Sequence, residues 1–199
     1  MSKKLIYLLL CFIFCLMANS QEETALEFQR HLNDEYRNPE KSPLKKKAKG
    51  FKGHDFFAIN DSLRIEAKFV RTLNAIPFLM KTTTNRLPKY EKYGEAHFMY
   101  QGKVMKLSIF QSHSLREKEE FRNHLFLPFT DLSNGEESYT GGRFIDLMIP
   151  ENEAVIIDFN MAYNPYCAYT YGYSCPVPPR ENSLKTEIKA GIKYEEIED

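Results

Sequence analysis

Hydrophobic and polar residues alternate along much of the chain. The clearest example lies between Leu63 and Phe69, where four apolar residues are separated by Arg64, Glu66 and Lys68. Successive side chains of a β-strand point to opposite faces, so a period of two is typical of a strand that buries one face and exposes the other. This segment therefore predicts a half-buried strand.

Apolar segments with turn residues between them predict further strands. These segments cover residues 76–82, 95–100, 103–110, 125–129, 144–149, 154–159 and 184–192. Gln101-Gly102 is typical of a two-residue hairpin turn. Ser114 and Glu117 predict the start of a short helix that ends at Phe121.

A helical period occurs near the N-terminus. Thr24 and Glu27 form a capping box, in which each side chain binds a free backbone N–H group at the helix start. The apolar residues that follow share one helix face: Ala25, Phe28, Leu32 and Tyr36. Asn38-Pro39 ends the helix, because proline cannot continue it.

These elements together predict a mainly β (α+β) fold. Strands with one polar face favour antiparallel pairing, and no alternation of strands and helices indicates a parallel sheet. We therefore expect a single antiparallel β-sandwich or open barrel-like domain with an N-terminal amphipathic helix.

The first twenty residues have the pattern of a secretory signal. Lys3 and Lys4 precede an apolar run over residues 5–17, and the small residues Ala18 and Ser20 suit a cleavage site. The run is shorter than the roughly 20 residues of a membrane-spanning helix. We expect the protein to be exported, to the periplasm or out of the cell, after cleavage near Ser20, and to have no transmembrane span afterwards. The alternative is that residues 1–20 remain as an uncleaved membrane anchor.

Three regions follow from these patterns. Residues 1–20 form the signal peptide, residues 21–53 the N-terminal helix and a basic linker, and residues 54–199 the β-rich domain. The chain has 27 basic and 27 acidic residues. It lacks the basic excess of nucleic-acid-binding proteins, so we expect no nucleic-acid partner. Six lysines between Lys41 and Lys52 are interpreted as a solvated linker, with binding of a surface or nucleic acid as the alternative.

Two cysteines lie beyond the signal peptide, Cys167 and Cys175. An even number in an exported chain permits one disulfide, which is our main interpretation. A zinc site or a cysteine nucleophile is the alternative. The five histidines show no spacing typical of metal ligands, so the sequence identifies neither a metal site nor a cofactor.

A loop rich in Tyr, Asn, Cys and Pro occupies residues 158–179. Asp158 and Asn160 share one face at a strand end, where Tyr163 and Asn164 can join them. A carboxylate beside amides and phenols can bind a polar ligand through hydrogen bonds, and Asp158 is also a candidate general base. The alternative is that the Asp and Asn side chains only cap backbone groups of the loop.

Gly141, Gly142 and Arg143 precede another predicted strand. Backbone N–H groups at such a corner, with an arginine beside them, can bind an anion. A tight turn into the strand is the alternative. The tyrosines of the loop favour either ligand contacts or a lid over the sheet, and the sequence does not decide between them.

Several blocks of the chain match one protein family. They are Ser42-Pro43-Leu44, Phe126–Asp131, Gly135, Tyr139, Gly142–Asp146, Asp158–Tyr169, Cys175–Leu184 and Ile188–Gly191. On these blocks the chain resembles, over residues 36–194, the bacterial and archaeal family called domain of unknown function 1684. Family members typically carry Arg at the position of Met161 and often Pro at that of Tyr166. The resemblance implies no established activity and no agreed catalytic residues.

These observations lead us to expect binding of an unidentified small polar or anionic ligand at the Gly142-Arg143 corner and the loop over residues 158–175. The ligand-binding candidates are Asp131, Tyr139, Gly142, Arg143, Asp158, Asn160, Tyr163, Asn164, Cys167, Tyr169, Cys175 and Asn182. A hydrolytic enzyme that uses Asp158 or the two cysteines, with or without a metal, is one alternative. A structural envelope domain that binds a partner is the other.

Overall fold

A computed structural model describes residues 23–194, and the predicted signal peptide lies outside this range. One helix, α1 (Ala25–Arg37), precedes seven strands. The strands are β1 (Arg64–Arg71), β2 (Phe78–Leu79), β3 (Lys89–Tyr100), β4 (Lys103–Ser112), β5 (His124–Phe129), β6 (Arg143–Met148) and β7 (Ala154–Asp158).

All seven strands belong to one antiparallel sheet. Its order is β6-β5-β4-β3-β1-β7, with β2 paired to β3. The sheet curls into a half-barrel, and β6 and β7 approach each other. The prediction of a mainly β, antiparallel fold with an N-terminal helix is therefore confirmed.

Both faces of the sheet carry apolar clusters. Alternate residues of β5 (Leu125, Leu127 and Phe129) join the main core. Phe126 points the other way, into a second cluster that also contains Tyr90, Phe110, Phe144 and Met80. Because β5 is covered on both sides, its sequence is continuously apolar rather than alternating.

Local signals correctly predicted the helix start and the main hairpin. The Thr24 side chain accepts a hydrogen bond from the Glu27 N–H group, and Glu27 accepts one from the Thr24 N–H group. Between β3 and β4, Gln101 has φ 49° and Gly102 has φ 72°. Two left-handed residues make the turn whose twist matches that of the flanking strands.

Three predicted elements differ in the structure. The strand over residues 76–82 is only Phe78–Leu79, and the helix ending at Phe121 is a single 3-10 turn, Glu119–Phe121. The strand over residues 184–192 is not part of the sheet. Its alternate residues are buried as predicted, but its backbone groups bind loop residues and a side chain instead of a neighbouring strand.

That side chain is Arg143, which is fully buried together with its partner Asp131. The Arg143 guanidinium donates to Asp131 Oδ2 at 2.7 Å and to the carbonyl oxygens of Ile188 at 2.7 Å and Ala190 at 2.5 Å. Asp131 Oδ1 accepts hydrogen bonds from the N–H groups of Ser133 and Ile188. Carbonyls two residues apart point to the same edge of an extended segment, so the guanidinium occupies the position of a neighbouring strand.

Asp131→Asn is expected to lower the free energy of unfolding by about 3–5 kcal/mol, because it leaves the Arg143 charge buried without its carboxylate. Arg143→Lys is expected to be similarly harmful, since one ammonium group cannot reproduce the fork of a guanidinium. Urea unfolding measures both effects. The control is Lys68→Gln, an exposed change on β1, whose free energy of unfolding should stay within about 0.5 kcal/mol of that of the natural chain. A loss below about 1 kcal/mol for Asp131→Asn would contradict this role.

Helix α1 is held to the rest of the chain by an aromatic cluster. The Tyr36 ring centroid lies 4.3 Å from that of His54 and 5.5 Å from that of Tyr169. Leu44 and Ala48 pack on the same ring, so part of the predicted basic linker is folded, with a 3-10 helix at Lys45–Gly50. Burial lowers the pKa of His54 to about 4, and the positive charge of Arg37 acts in the same direction.

We expect His54 to weaken the fold in acid. The unfolded chain binds a proton on this residue near pH 6.5 while the folded chain does so only near pH 4, so stability falls as the pH decreases through this interval. An NMR titration of the His54 ring should give a midpoint near 4. His54→Gln, which does not titrate, should show a smaller stability loss between pH 7 and pH 4 than the natural chain. A His54 midpoint near 6.5 would overturn this expectation.

Candidate functional site

The residues predicted from the sequence fall into three groups. Tyr163, Asn164 and Cys175 line a groove between α1 and the sheet. Tyr169 lines a separate cleft on the far side of Tyr36. The others bind or pack against protein groups.

Asp158 and Asn160 organise the turn that follows β7. Asp158 Oδ1 accepts hydrogen bonds from the Asn160 N–H group at 2.9 Å and from the Asn160 side-chain amide at 2.8 Å. Asn160 in turn binds the backbone N–H and C=O groups of Asn60 through its side chain. These contacts are those of loop caps, which was the alternative interpretation of both residues.

The Gly142-Arg143 corner is tightly packed. Gly142 has φ 87°, and a Cβ atom there would lie 2.6 Å from the Phe129 carbonyl oxygen, so only glycine fits without a shift. Arg143 points inward to Asp131, as described above. Nearby, the Tyr139 ring packs on Tyr194 at 5.0 Å. The corner thus presents no exposed guanidinium to a ligand.

Asn182 links two strands where a proline interrupts their pairing. Pro128 in β5 has no N–H group to donate toward β4. The buried Asn182 side chain donates to the carbonyls of Pro128 at 2.7 Å and Ser108 at 2.8 Å, and it accepts from the Ser108 N–H group at 2.7 Å. Its amide substitutes for missing hydrogen bonds between the strands.

Cys167 and Cys175 form a disulfide with a Cα–Cα distance of 6.3 Å, which confirms the main interpretation of these residues. The loop is also tied to the strand β2 region, since the Cys175 N–H group donates to Thr83 Oγ1 at 3.1 Å. With both sulfur atoms in the bond, neither residue supplies a thiolate nucleophile.

The groove combines apolar walls with several polar groups. It encloses about 570 Å³ between α1, the outer face of the sheet and the disulfide loop. Its aromatic walls come from α1 (Phe28, Tyr36), from the sheet (Tyr90, Phe126, Phe144) and from the loop (Tyr163, Tyr166, Tyr173).

A carboxylate, that of Asp146, lines the groove. Asp146 Oδ1 accepts a hydrogen bond from His124 Nε2 at 2.8 Å, and Oδ2 accepts one from the Tyr163 hydroxyl at 2.8 Å. Asp146 of β6 pairs with Phe126 of β5, so the alternate residue His124 lies on the same face. The Asp146 side chain nevertheless remains 48% exposed.

The phenols of Tyr163 and Tyr90 remain protonated at neutral pH. Burial raises the pKa of Tyr163 well above its ordinary value, and the Asp146 carboxylate acts in the same direction. Burial also raises the pKa of Tyr90. Arg86 and Glu35 bring opposite charges to the groove, and the Arg86 guanidinium donates to Ser174 Oγ at 3.0 Å.

Two buried polar atoms of the groove residues have no hydrogen-bond partner within residues 23–194, Asn164 Oδ1 and His124 Nδ1. The Asn164 amide donates to the Tyr169 hydroxyl at 2.8 Å and to the Lys193 carbonyl at 3.1 Å. Its Oδ1 atom is buried and has no hydrogen-bond donor within the described part of the chain.

Residues 49–193 match the family profile described as "Protein of unknown function (DUF1684)". The chain belongs to this family. It is also similar to an uncharacterised protein of Haloarcula marismortui, whose solution NMR structure shares 27% sequence identity and superimposes with a TM-score of 0.65. The match covers 83% of this chain and 89% of that chain. A search of curated proteins finds no significant match.

The family match confirms the resemblance drawn from the sequence blocks. Sequence reasoning missed Asp146 and His124 as site residues, although Asp146 ended one of those blocks. Between residues 23 and 194, no group of three His, Cys, Asp or Glu side chains is placed to hold a metal ion. Within the same range, no helix has the length and apolar character needed to cross a membrane.

The intact mass of protein made in an oxidising compartment should be two hydrogens lower than that of the reduced chain. Replacing both cysteines with serine should lower the free energy of unfolding by about 2.5 kcal/mol, because the open loop has more freedom in the unfolded state. Chemically reduced natural protein serves as the control and should lose a similar amount. Alkylation of both thiols in unreduced native protein would contradict the disulfide.

Proposed function

We propose that this protein binds a small organic ligand in the aromatic groove, with Asp146 accepting a hydrogen bond from the ligand. The observation that carries the proposal is the position of this carboxylate. Two donors, His124 and Tyr163, hold its oxygen atoms in place, yet almost half of the side chain remains accessible.

The surroundings of Asp146 support ligand binding. Small-molecule sites are concave, mostly apolar cavities of roughly 300–1,000 Å³ with a few directed polar groups. The groove volume of about 570 Å³ falls within that range. Each carboxylate oxygen has a second lone pair after accepting one hydrogen bond, so Asp146 can still bind an O–H or N–H group.

The chemistry of the groove favours a polar ligand with a donor group on an apolar or aromatic body. The groove has two acidic groups, Asp146 and Glu35, and one guanidinium, Arg86, so its negative charges outnumber the positive one and oppose binding of an anion. The loop predicted to bind the ligand contributes Tyr163, Asn164 and Cys175 to the groove. Arg143 is left out of the proposal, because its charge is paired with the buried Asp131.

We further propose that the protein acts outside the cytoplasm. The signal-like pattern at residues 1–20 and the Cys167–Cys175 disulfide both support export, since disulfides persist in oxidising compartments.

Three probes that share a phenyl ring test the groove: benzyl alcohol, benzylamine and benzoate. The alcohol and the amine should bind with dissociation constants in about the millimolar range, as expected for ligands of this size. They should shift the NMR resonances of His124 and Tyr163, whereas benzoate should leave these resonances unchanged.

Asp146→Asn should weaken binding of benzylamine at least about tenfold, because a hydrogen bond to a charged acceptor is lost. Asp61→Asn, an exposed change in the turn before β1, should leave the affinity unchanged and serves as the matched control. Equal affinities of the two variants, or no shift of His124 and Tyr163 with any probe, would refute the proposed site.

A further inference from the structure

The two unpartnered polar atoms of the groove residues are hydrogen-bond acceptors. Asn164 is almost fully buried, and its Oδ1 atom is a carbonyl oxygen, which can only accept. His124 Nε2 lies 2.8 Å from the Asp146 carboxylate, and since a carboxylate oxygen also only accepts, Nε2 carries the hydrogen. In the neutral ring this leaves Nδ1, the atom without a partner, as an acceptor as well. A ligand that complements this wall therefore supplies hydrogen-bond donors.

Two carboxylates line the same groove. Asp146 belongs to β6 and Glu35 to α1. Both lie close to one phenol: burial raises the pKa of Tyr166, and the negative charges of Glu35 and Asp146 add to this rise. Within the part of the chain that the structure describes, no lysine or arginine forms an ion pair with either carboxylate. Neither negative charge is thus neutralised by a salt bridge to a lysine or an arginine.

The positive groups near the groove are held at the disulfide loop. Arg86 donates from Nε to Ser174 Oγ at 3.0 Å and from Nη2 to the Ser174 carbonyl oxygen at 2.8 Å. Lys45 does not line the groove, and its Nζ lies 6.0 Å from the centroid of the Tyr173 ring. Both cations therefore lie beside residues 173–174, whereas the acidic groups belong to the sheet and the helix. A cationic ligand group is attracted to the walls that carry the carboxylates.

The aromatic rings of the groove stand at large angles to one another. The Phe144 ring is inclined by 70° to that of Phe126, with centroids 4.8 Å apart, and by 88° to that of Tyr163, with centroids 5.9 Å apart. On the loop, the rings of Tyr166 and Tyr173 are inclined by 67°. All five line the groove. The face of an aromatic ring attracts a cation within about 6 Å of its centroid, so these walls suit a positively charged ligand as well as an apolar one.

We propose that the ligand of the groove is an organic cation: an ammonium group carried on an apolar or aromatic body. Its N–H groups would donate to Asp146, its charge would be attracted by Asp146 and Glu35, and its body would pack on the aromatic rings. An ammonium has three donors and no acceptor, which matches walls whose free polar atoms accept. The proposal rests on the function proposed for the groove and narrows its ligand to one class of charge.

Benzylamine and benzyl alcohol share a benzyl group and differ in charge, so they test this class on the full chain. At neutral pH and low salt, benzylamine should shift the resonances of His124 and Tyr163 with an affinity about fivefold or more above that of benzyl alcohol, because a charge-assisted hydrogen bond is stronger than a neutral one. Sodium chloride should weaken binding of the amine but not of the alcohol, since Glu35 is exposed to solvent.

Glu35→Gln separates the effect of charge from that of shape. It should weaken benzylamine binding by about twofold or more, because an exposed carboxylate contributes a modest attraction. Benzyl alcohol should bind this variant as it binds the natural chain, which also shows that the groove is intact. Glu40→Gln, an exposed change after α1 that lies outside the groove, is the matched control and should alter neither affinity.

The outcomes distinguish this proposal from the one on which it rests. Equal affinities of benzylamine and benzyl alcohol would overturn the cation proposal and leave the groove as a site for neutral ligands. A Glu35→Gln variant that binds benzylamine as tightly as the Glu40→Gln variant does would overturn it as well. If neither probe shifts His124 or Tyr163, both the cation proposal and the function proposed for the groove fail.

Discussion

The buried contact between Arg143 and Asp131 ties the paired strands β5 and β6 to an extended segment that is not part of the sheet. Arg143 begins β6, Asp131 follows β5, and the guanidinium also binds the carbonyls of the extended segment at Ile188 and Ala190. Apolar residues in place of the ion pair could give the fold the same stability, but they would not bind the backbone of a third segment. The guanidinium holds the segment, together with backbone hydrogen bonds from Leu184 to Thr130 and from Leu132 to Thr186. Further along the same segment, Ile192 pairs with Phe56 and Lys193 lines the cleft.

Two carboxylates show how one residue type takes a structural or a ligand-facing position. Asp131 and Asp146 each accept hydrogen bonds on both oxygen atoms. Asp131 is fully buried, so its capacity is used entirely within the protein. Asp146 is 48% exposed in an aromatic groove and retains lone pairs that a ligand can reach. Complete burial makes Asp131 part of the scaffold, whereas partial exposure leaves Asp146 accessible in the candidate site.

The candidate site was only partly predictable from the sequence. The loop rich in Tyr and Asn was recognised by composition, and Tyr163 and Asn164 do line the groove. Asp146 and His124 were not recognised, because they are neighbours through the register of β5 and β6, which a single sequence does not specify. Asp158 was predicted as a ligand-binding residue because it is a carboxylate at a strand end, but its hydrogen bonds go to Asn160 in the turn that follows.

Local interactions account for what the sequence by itself determined: the capping box of α1, the half-buried strand β1, the left-handed turn at Gln101-Gly102 and the family of the chain. The capping box and the turn depend on contacts between residues close together in the chain, and β1 was predictable from the alternation of its own side chains. Tertiary structure alone decided that the segment over residues 184–192 runs extended outside the sheet and that the lysine-rich segment lines a cleft. The physical reason is that these groups bind partners far away in the sequence. Arg143, for example, binds the carbonyls of Ile188 and Ala190. Such distant partners can be identified only once the chain is folded.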